Sequence, residues 1–442
     1  MDQSRQPAVE SRHRELRNLS MLPAHPLGLY AEWRARRPSH FTQEATDYLS
    51  YLSFRASMQQ LLSPRIHSPK LSNRWSHIEE QAYEYGRAYD SYFATEDGWK
   101  RFRTRGLDGL ISYRRLGKYV KVIGGLLACD EEKPRLLREY TRLSDSFGLL
   151  TSFYNVTEQD VELYREEGYQ VTKWGEEPFV DLQDCTWSGK PYEWVRRQTN
   201  YCRRAGITIV EHRRDEMDGE SWSALLRQLR EVSNSLLATK AHSGEIQLLE
   251  GQLEVAGWGR RRLFVAYSQD SPARIEGFLI ALPMNGGRSW SLEMYRHRPD
   301  AIRGVVPHLF HEVMIRMKAE GVESVSLCLL PGIGCDAPLP GDCALTRRSL
   351  CFGKKRLNFL FDFAGLYHFK SRFRPRYESR YVCSRPRTTV LSTLALFRMS
   401  GMLTFDPKKA AAQFARNLFK RRERQQMAER PGSLALVCQG GE

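Results

Sequence analysis

A chain of 442 residues with 41% hydrophobic side chains is long enough for two or three units with real cores and too apolar to be disordered. Its net charge of +15 and isoelectric point near 9.4 point to a polyanionic partner, either nucleic acid or an anionic membrane surface. Nine cysteines, an odd number with no C-x-x-C pair, argue against a disulfide framework or a zinc site and fit reduced thiols in a cytoplasm.

Residues 1–75 read as an extension of mixed polar and helical character, interrupted by Pro23, Pro26, Pro38, Pro64 and Pro69. The polar N-terminus lacks the apolar stretch of a signal peptide, so export is not expected. No window offers the roughly 18 uninterrupted apolar residues of a spanning helix; the best, Val390 to Phe405, contains Arg398, Ser400 and Gly401. From Gly109 the alternation predicts a hairpin with its turn at Leu116-Gly117-Lys118. A helix follows from Glu131 to Phe147, with Leu136, Leu137, Tyr140 and Leu143 at helical spacing. Then come a strand, Leu149 to Val156, and a helix, Glu158 to Glu167, stopped by Gly168.

The connector Pro191 to Ala205 reads as a helix on which Arg196 and Arg203, and Arg197 and Arg204, recur two turns apart near Trp194 and Tyr201. Such a basic stripe suits a nucleic acid backbone, which it would hold without reading sequence. The second half repeats the first: strands at Leu263 to Tyr267, Arg274 to Met284 and Ser289 to Tyr295, a helix from Val305 to Glu320 ended by Gly321, a strand from Glu323 to Leu330, and a helix-like segment from Leu357 to Lys370. Two copies of hairpin, helix, strand, helix predict a duplicated α+β unit. In the tail, Lys408, Lys409, Arg416, Lys420, Arg421, Arg422 and Arg424 accompany Phe414, Leu418 and Phe419 at helical spacing, the pattern of a basic amphipathic helix that could lie on an anionic membrane, bind RNA or simply end a soluble chain.

Three stretches carry chemistry. The run HFKSRFRPRYESRY, His368 to Tyr381, sets Lys370, Arg372, Arg374, Arg376 and Arg380 among aromatics with one acid, Glu378, a composition suited to phosphate. Upstream lie KWGEEPFVDL, Lys173 to Leu182, and SLEMYRHRPDAIRG, Ser291 to Gly304. In this order they resemble the motifs of the C-terminal synthase domain of the aminoacyl-phosphatidylglycerol synthases, the phosphatidylglycerol lysyltransferase (multiple peptide resistance factor, DUF2156) family. The resemblance covers about 300 residues, roughly Ile78 to Val382. Glu293 stands where the family usually has Asp, Tyr295 replaces a Met, and Leu329 to Gly334 follows the family only loosely.

The resemblance implies a tandem of two GNAT-like lobes joined by a basic helix: residues 76–190, connector 191–215, and 216–388 with the catalytic motifs, followed by a basic tail, 389–442. It also implies transfer of an amino acid from aminoacyl-tRNA to a hydroxyl of a membrane lipid such as phosphatidylglycerol. No metal or redox cofactor is then required, because the donor ester is already activated. The N-terminal membrane region of full-length relatives is not seen in this sequence, so a cytoplasmic chain, peripheral on the inner face of the membrane, is expected. Glu293, Arg296 and Lys370 are the catalytic candidates. Arg372, Glu378, Arg380, Glu176 and Glu177 are substrate-binding candidates, with bracing of the lobe interface the alternative for Glu176 and Glu177, and Arg196, Arg197, Arg203 and Arg204 are the tRNA contacts. Glu293 and Arg296 lie three apart, so a bend in the strand is needed before they share a site.

An acyl-CoA transferase, the obvious rival on this fold, would need a glycine-rich loop at a helix N-terminus. Arg298 to Gly304 holds one glycine, and Ala128 to Pro134 holds acids instead. A binding protein that kept the fold and lost turnover, or transfer to a soluble acceptor, remains the alternative. His308, His311 and Glu312 do not form an H-E-x-x-H motif, and Ser291 has no triad partner at recognisable spacing.

Overall fold

A computed structural model describes residues 76–239, 250–255, 258–269, 274–356 and 363–401. The extension at 1–75, the tail from 402 and residues 357–362 of the predicted last helix lie outside them. The chain opens with helix α1 (His77–Tyr85), capped by the Ser76 hydroxyl, and a 3₁₀ turn at Ser91–Thr95. Strands β1 (Lys100–Phe102), β2 (Leu110–Leu116) and β3 (Tyr119–Leu127) form a meander, with the predicted turn at Gly117. Helix α2 (Lys133–Ser146) carries the chain to β4 (Leu150–Thr157), which lies parallel to β3, and the short α3 (Val161–Glu166) leads to β5 (Gln170–Asp181).

Helix α4 (Glu193–Arg204) connects to β6 (Thr208–His212), α5 (Gly219–Thr239) and a second meander of β7 (Arg262–Tyr267), β8 (Ile275–Met284) and β9 (Ser289–His297). Helix α6 (Val305–Ala319) crosses to β10 (Ser324–Ser326), parallel to β9. Then follow β11 (Leu330–Pro331), α7 (Ala344–Arg356), α8 (Phe363–Ser371), β12 (Arg376–Arg385) and α9 (Val390–Met399).

All twelve strands belong to one mixed sheet in the order β1-β2-β3-β4-β12-β5-β10-β9-β8-β7-β6, with β11 paired to β5 off this path. The centre is an exchange. β5, from the first half, runs antiparallel to β10 of the second, while β12, from the second half, runs antiparallel to β4 of the first. The two exchanged strands also pair with each other, from Arg376 opposite Phe179 to Ser384 opposite Gln170.

Three apolar cores hold this arrangement. Leu136, Leu137 and Tyr140 of α2 close one over the first half, and Leu309, Phe310 and Val313 of α6 close another over the second. The third reaches across both halves, from Tyr154 and Trp174 to Phe278 and Met294, with Tyr92 and Phe93 of the 3₁₀ turn between them. Each such side chain contributes about 1.5–3 kcal/mol through removal from water.

The strand predicted over Glu323 to Leu330 is interrupted. β10 ends at Ser326 and β11 begins at Leu330, with Cys328 between them at φ +64°. A left-handed residue cannot continue a ladder, so this break turns the carbonyls of Cys328 and Leu329 away from strand pairing.

Candidate active site

The Cys328 break is where the charged groups of both halves converge. Helix α8 is pinned by Phe369 and Phe373, whose rings pack on Phe310 at 5.3 and 5.5 Å. That anchoring turns Lys370 inward, and its Nζ donates to the carbonyls of Cys328 (3.0 Å) and Leu329 (3.3 Å). Burial lowers the Lys370 pKa to about 8, against the opposing pull of Cys328, Glu177 and Glu293. The Cys328 thiol is itself driven well above its ordinary value by burial, and it feels Lys370, Glu293, Glu177 and Asp90. Four ionisable side chains from four separate segments thus act electrostatically on this thiol.

Glu293 is the group best set up for proton transfer. The β8–β9 register passes from Ile280 opposite Met294 to Ala281 opposite Leu292, so Glu293 is the unpaired residue of a β-bulge. This supplies the bend required between Glu293 and Arg296. Glu293 Oε1 accepts from Gly251 N–H at 2.8 Å, whereas Oε2 is buried with no hydrogen-bond partner among the described residues. Burial first, opposed by the Gly251 bond and reinforced by Glu250 and Glu96, raises its pKa to about 8. The carboxyl is therefore largely protonated at neutral pH, a form that can both give and retake a proton.

Arg296, the electrostatic partner expected for Glu293, lowers that residue's pKa through space while donating to Glu250 Oε2 at 2.7 Å. Each of the two side chains grips a neighbouring residue of the Glu250-Gly251 pair. Arg296 thus acts on Glu293 through that segment and through space.

The phosphate-like cluster of the closing motif is divided by burial. Arg380, 1% exposed, donates from Nε to Glu177 Oε2 at 2.5 Å and from Nη2 to Glu378 Oε2 at 2.9 Å. Glu177, fully buried, also accepts from Ser326 Oγ at 2.5 Å. This network ties β5, β10 and β12 together, and a buried cation needs such partners. Arg376 pairs with Asp181 and Glu378. The expectation that Lys370, with Arg380 in support, presents an open donor to phosphate is corrected accordingly: burial has committed Lys370 to the carbonyls of Cys328 and Leu329 and Arg380 to Glu177 and Glu378. Arg372 is half-buried, lies over Trp194 and contacts His368 Nε2 at 3.0 Å. Glu176 pairs with Lys173 at 2.9 Å. On the exchanged strands, Phe179, Arg376, Glu378 and Arg380 line an open cleft of about 350 Å³, closed on its other sides by Arg87, Thr157, Ser289 and Ser324.

On α4, Arg197 and Arg204 are exposed along with Tyr201, at spacings of four and three residues. Arg196 instead donates to the carbonyls of Trp187 and Gly189, and Arg203 reaches Glu312 at 2.6 Å. Arg203 stays exposed beside Arg197 and Arg204, so of the predicted stripe it is Arg196 that is drawn into an internal brace. His308 and His311 pack beside Glu312 on α6, and among the described residues no group of three or more His, Cys, Asp or Glu side chains is placed to hold a metal ion.

Sequence reasoning missed Asp90 and Asn155. Asp90, completely buried, accepts from Asn155 Nδ2 at 2.7 Å, and burial lifts its pKa to about 7. One signal was present. Gly124 within β3 marks a close backbone approach, and a Cβ there would lie 2.9 Å from Ser91 Cα, beside Asp90.

Residues 80–384 match the family model for the C-terminal domain of phosphatidylglycerol lysyltransferase. The chain belongs to this family. It is 24% identical to the phosphatidylglycerol lysyltransferase of Bacillus subtilis over 291 residues, 65% of this chain and 32% of that protein. With the Staphylococcus aureus protein it shares 21% over 330 residues, 74% and 37% of the two chains. It spans about a third of the length of these curated relatives. Among solved structures, L-PGS from Bacillus licheniformis superposes with a TM-score of 0.60 at 24% identity, over 74% of this chain and 95% of that one. A DUF2156 domain from Agrobacterium fabrum ascribed to a lysylphosphatidylglycerol synthetase gives 0.60 at 19%, over 75% and 96%. For this phosphatidylglycerol lysyltransferase family member, both likenesses show a shared fold. No helix among the described residues is long and apolar enough to cross a membrane.

Proposed function

We propose that this chain is an aminoacyl-tRNA-dependent transferase that moves an amino acid from tRNA to a hydroxyl of a membrane lipid such as phosphatidylglycerol. The observation that carries the reading is Glu293: a buried carboxyl whose pKa is raised to about 8, with one oxygen fixed by Gly251 N–H, the other without a hydrogen-bond partner among the described residues, and an electrostatic influence on Lys370. Family membership supplies the substrate class. The two halves, each a meander followed by a helical crossover to a parallel strand, fit a tandem of GNAT-like lobes with α4 as the basic connector.

In the proposed reaction the lipid hydroxyl oxygen attacks the ester carbonyl carbon, the bond from that carbon to the ribose oxygen breaks, and the ribose oxygen takes up the proton that the hydroxyl loses. Atoms and electrons balance without an added reagent. Glu293 Oε2 relays the proton, and Lys370 offsets the charge that develops on the carbonyl oxygen. Arg296 is a positioning residue that steadies Glu250 beside Gly251. Arg197 and Arg204 hold the tRNA backbone, and the cleft beside Glu378 receives a polar part of a substrate. The reaction takes place on the cytoplasmic face of the membrane.

The test is transfer of labelled amino acid from a fully charged tRNA mixture into the organic phase of liposomes containing anionic lipid. Transfer that RNase abolishes is expected, and Glu293→Gln should reduce it by about 10²–10⁴-fold. Charged tRNA that stays bound without lipid labelling would refute the reading.

A further inference from the structure

Helix α9 has two apolar faces and a core for only one of them. Ser392, Ala395 and Leu396 are buried against the first half of the sheet, with Leu396 in the core that spans both halves. On the opposite side Leu391 and Leu394 are 61% and 46% exposed, and Val390 on the first turn is 59% exposed. Leu391, Leu394 and the exposed Arg398 follow one another at spacings of three and four, a single stripe. Isolated exposed leucines need no explanation, but three large apolar side chains within five positions do. A helix apolar on all sides is one whose outer face is covered by something else.

We infer that the outer face of α9 docks on an anionic lipid bilayer. Charge selects this occupant over the others. From Ser379 to Phe405 the sequence contains no acid, and the exposed Arg387 and Arg398 flank the apolar stripe. Beyond it, Asp406 to Arg424 adds seven basic residues against two acids, Asp406 and Glu423. A second copy of this chain, at +15, would bring like charge to this face, as would the chain's own C-terminal residues. An anionic surface matches both the apolar stripe and its basic flanks. Ten helical residues rise only about 15 Å, half the hydrocarbon thickness, so α9 lies along the surface with Leu391 and Leu394 at the acyl boundary and the two arginines at phosphate level. The inference rests on the proposed lipid acceptor only in placing the chain at a bilayer.

The experiment is co-sedimentation of the full chain, without tRNA, with vesicles of phosphatidylcholine alone or with phosphatidylglycerol added. Binding to the anionic vesicles is expected. It should fall about ten-fold or more in Leu391→Glu/Leu394→Glu and in Arg387→Glu/Arg398→Glu, and stay unchanged in Ile315→Glu, an exposed apolar site on α6. Unaltered binding in the first two variants overturns the inference. A wild-type dimer that Leu391→Glu/Leu394→Glu dissociates overturns it in favour of a second copy, and a large loss of thermal stability in that variant overturns it in favour of the chain's own C-terminal residues. Vesicle binding that depends on α9 in a protein that transfers nothing would leave this surface in place and remove the proposed function instead.

Discussion

Replacing Glu177 with alanine should unlock the centre of the sheet. The change removes the 2.5 Å acceptor of Arg380 Nε and the 2.5 Å acceptor of Ser326 Oγ, and it leaves a guanidinium that is 1% exposed with Glu378 as its remaining carboxylate. Removing one partner of a buried ion pair costs about 3–5 kcal/mol, a large part of a domain's total of about 5–15 kcal/mol. At about 2–4 °C per kcal/mol for a large domain, Tm should drop by roughly 6–20 °C. Arg376→Ala is the control, because its pair with Asp181 is 45% and 41% exposed and such surface pairs contribute about 0–1 kcal/mol. Calorimetry of the full chain reads both. Glu177→Leu combined with Arg380→Met should recover most of the loss, since no unpaired charge is left buried. Equal shifts for Glu177→Ala and Arg376→Ala would refute the argument that burial makes this pair matter.

Glu293 binds its proton more tightly folded than unfolded, so its contribution to stability is complete below about pH 4.5 and is lost as pH rises through about 8. Glu293→Gln should flatten that part of the stability curve, measured by urea unfolding across the range; an unchanged slope would mean the carboxyl is ionised throughout. At Gly251 an added Cβ would lie 2.9 Å from Glu293 Oε2 and 2.9 Å from Glu96 Oε1, so Gly251→Ala should depress transfer while costing about 1–3 kcal/mol of stability. Arg197→Ala/Arg204→Ala should weaken tRNA binding and reduce the slope of log affinity against log salt by about one for each phosphate no longer neutralised. Arg196→Ala, which frees the Trp187 and Gly189 carbonyls, should act on stability instead.

Local patterns were legible in the sequence where local physics decides. The turn at Gly117, the amphipathic face of α2 and the stop of α6 at Gly321 follow from periodicity and glycine. What escaped depended on distant partners. The closing motif, basic and aromatic, looks like a surface that grips phosphate until Glu177, about 200 positions upstream, is found against Arg380. The Cys328 break escaped for a similar reason, because its sequence is apolar enough for a strand and only Lys370 in α8 shows where the liberated carbonyls are used. Asp90 carries no motif at all. Its standing comes from burial and from Asn155, neither of which a spacing rule can detect.

The exchange of β5 and β12 also fixes when the protein can finish folding. Thr157 of β4 faces Arg380 of β12, so the first half cannot close that edge until nearly the whole described chain has been synthesised. Until then β4 and β5 expose unpaired backbone to any passing strand. Loop closure over so long a span makes the final pairing slow. On the ribosome, the early half must therefore wait, shielded or at risk of aggregation, for a strand that arrives among the last.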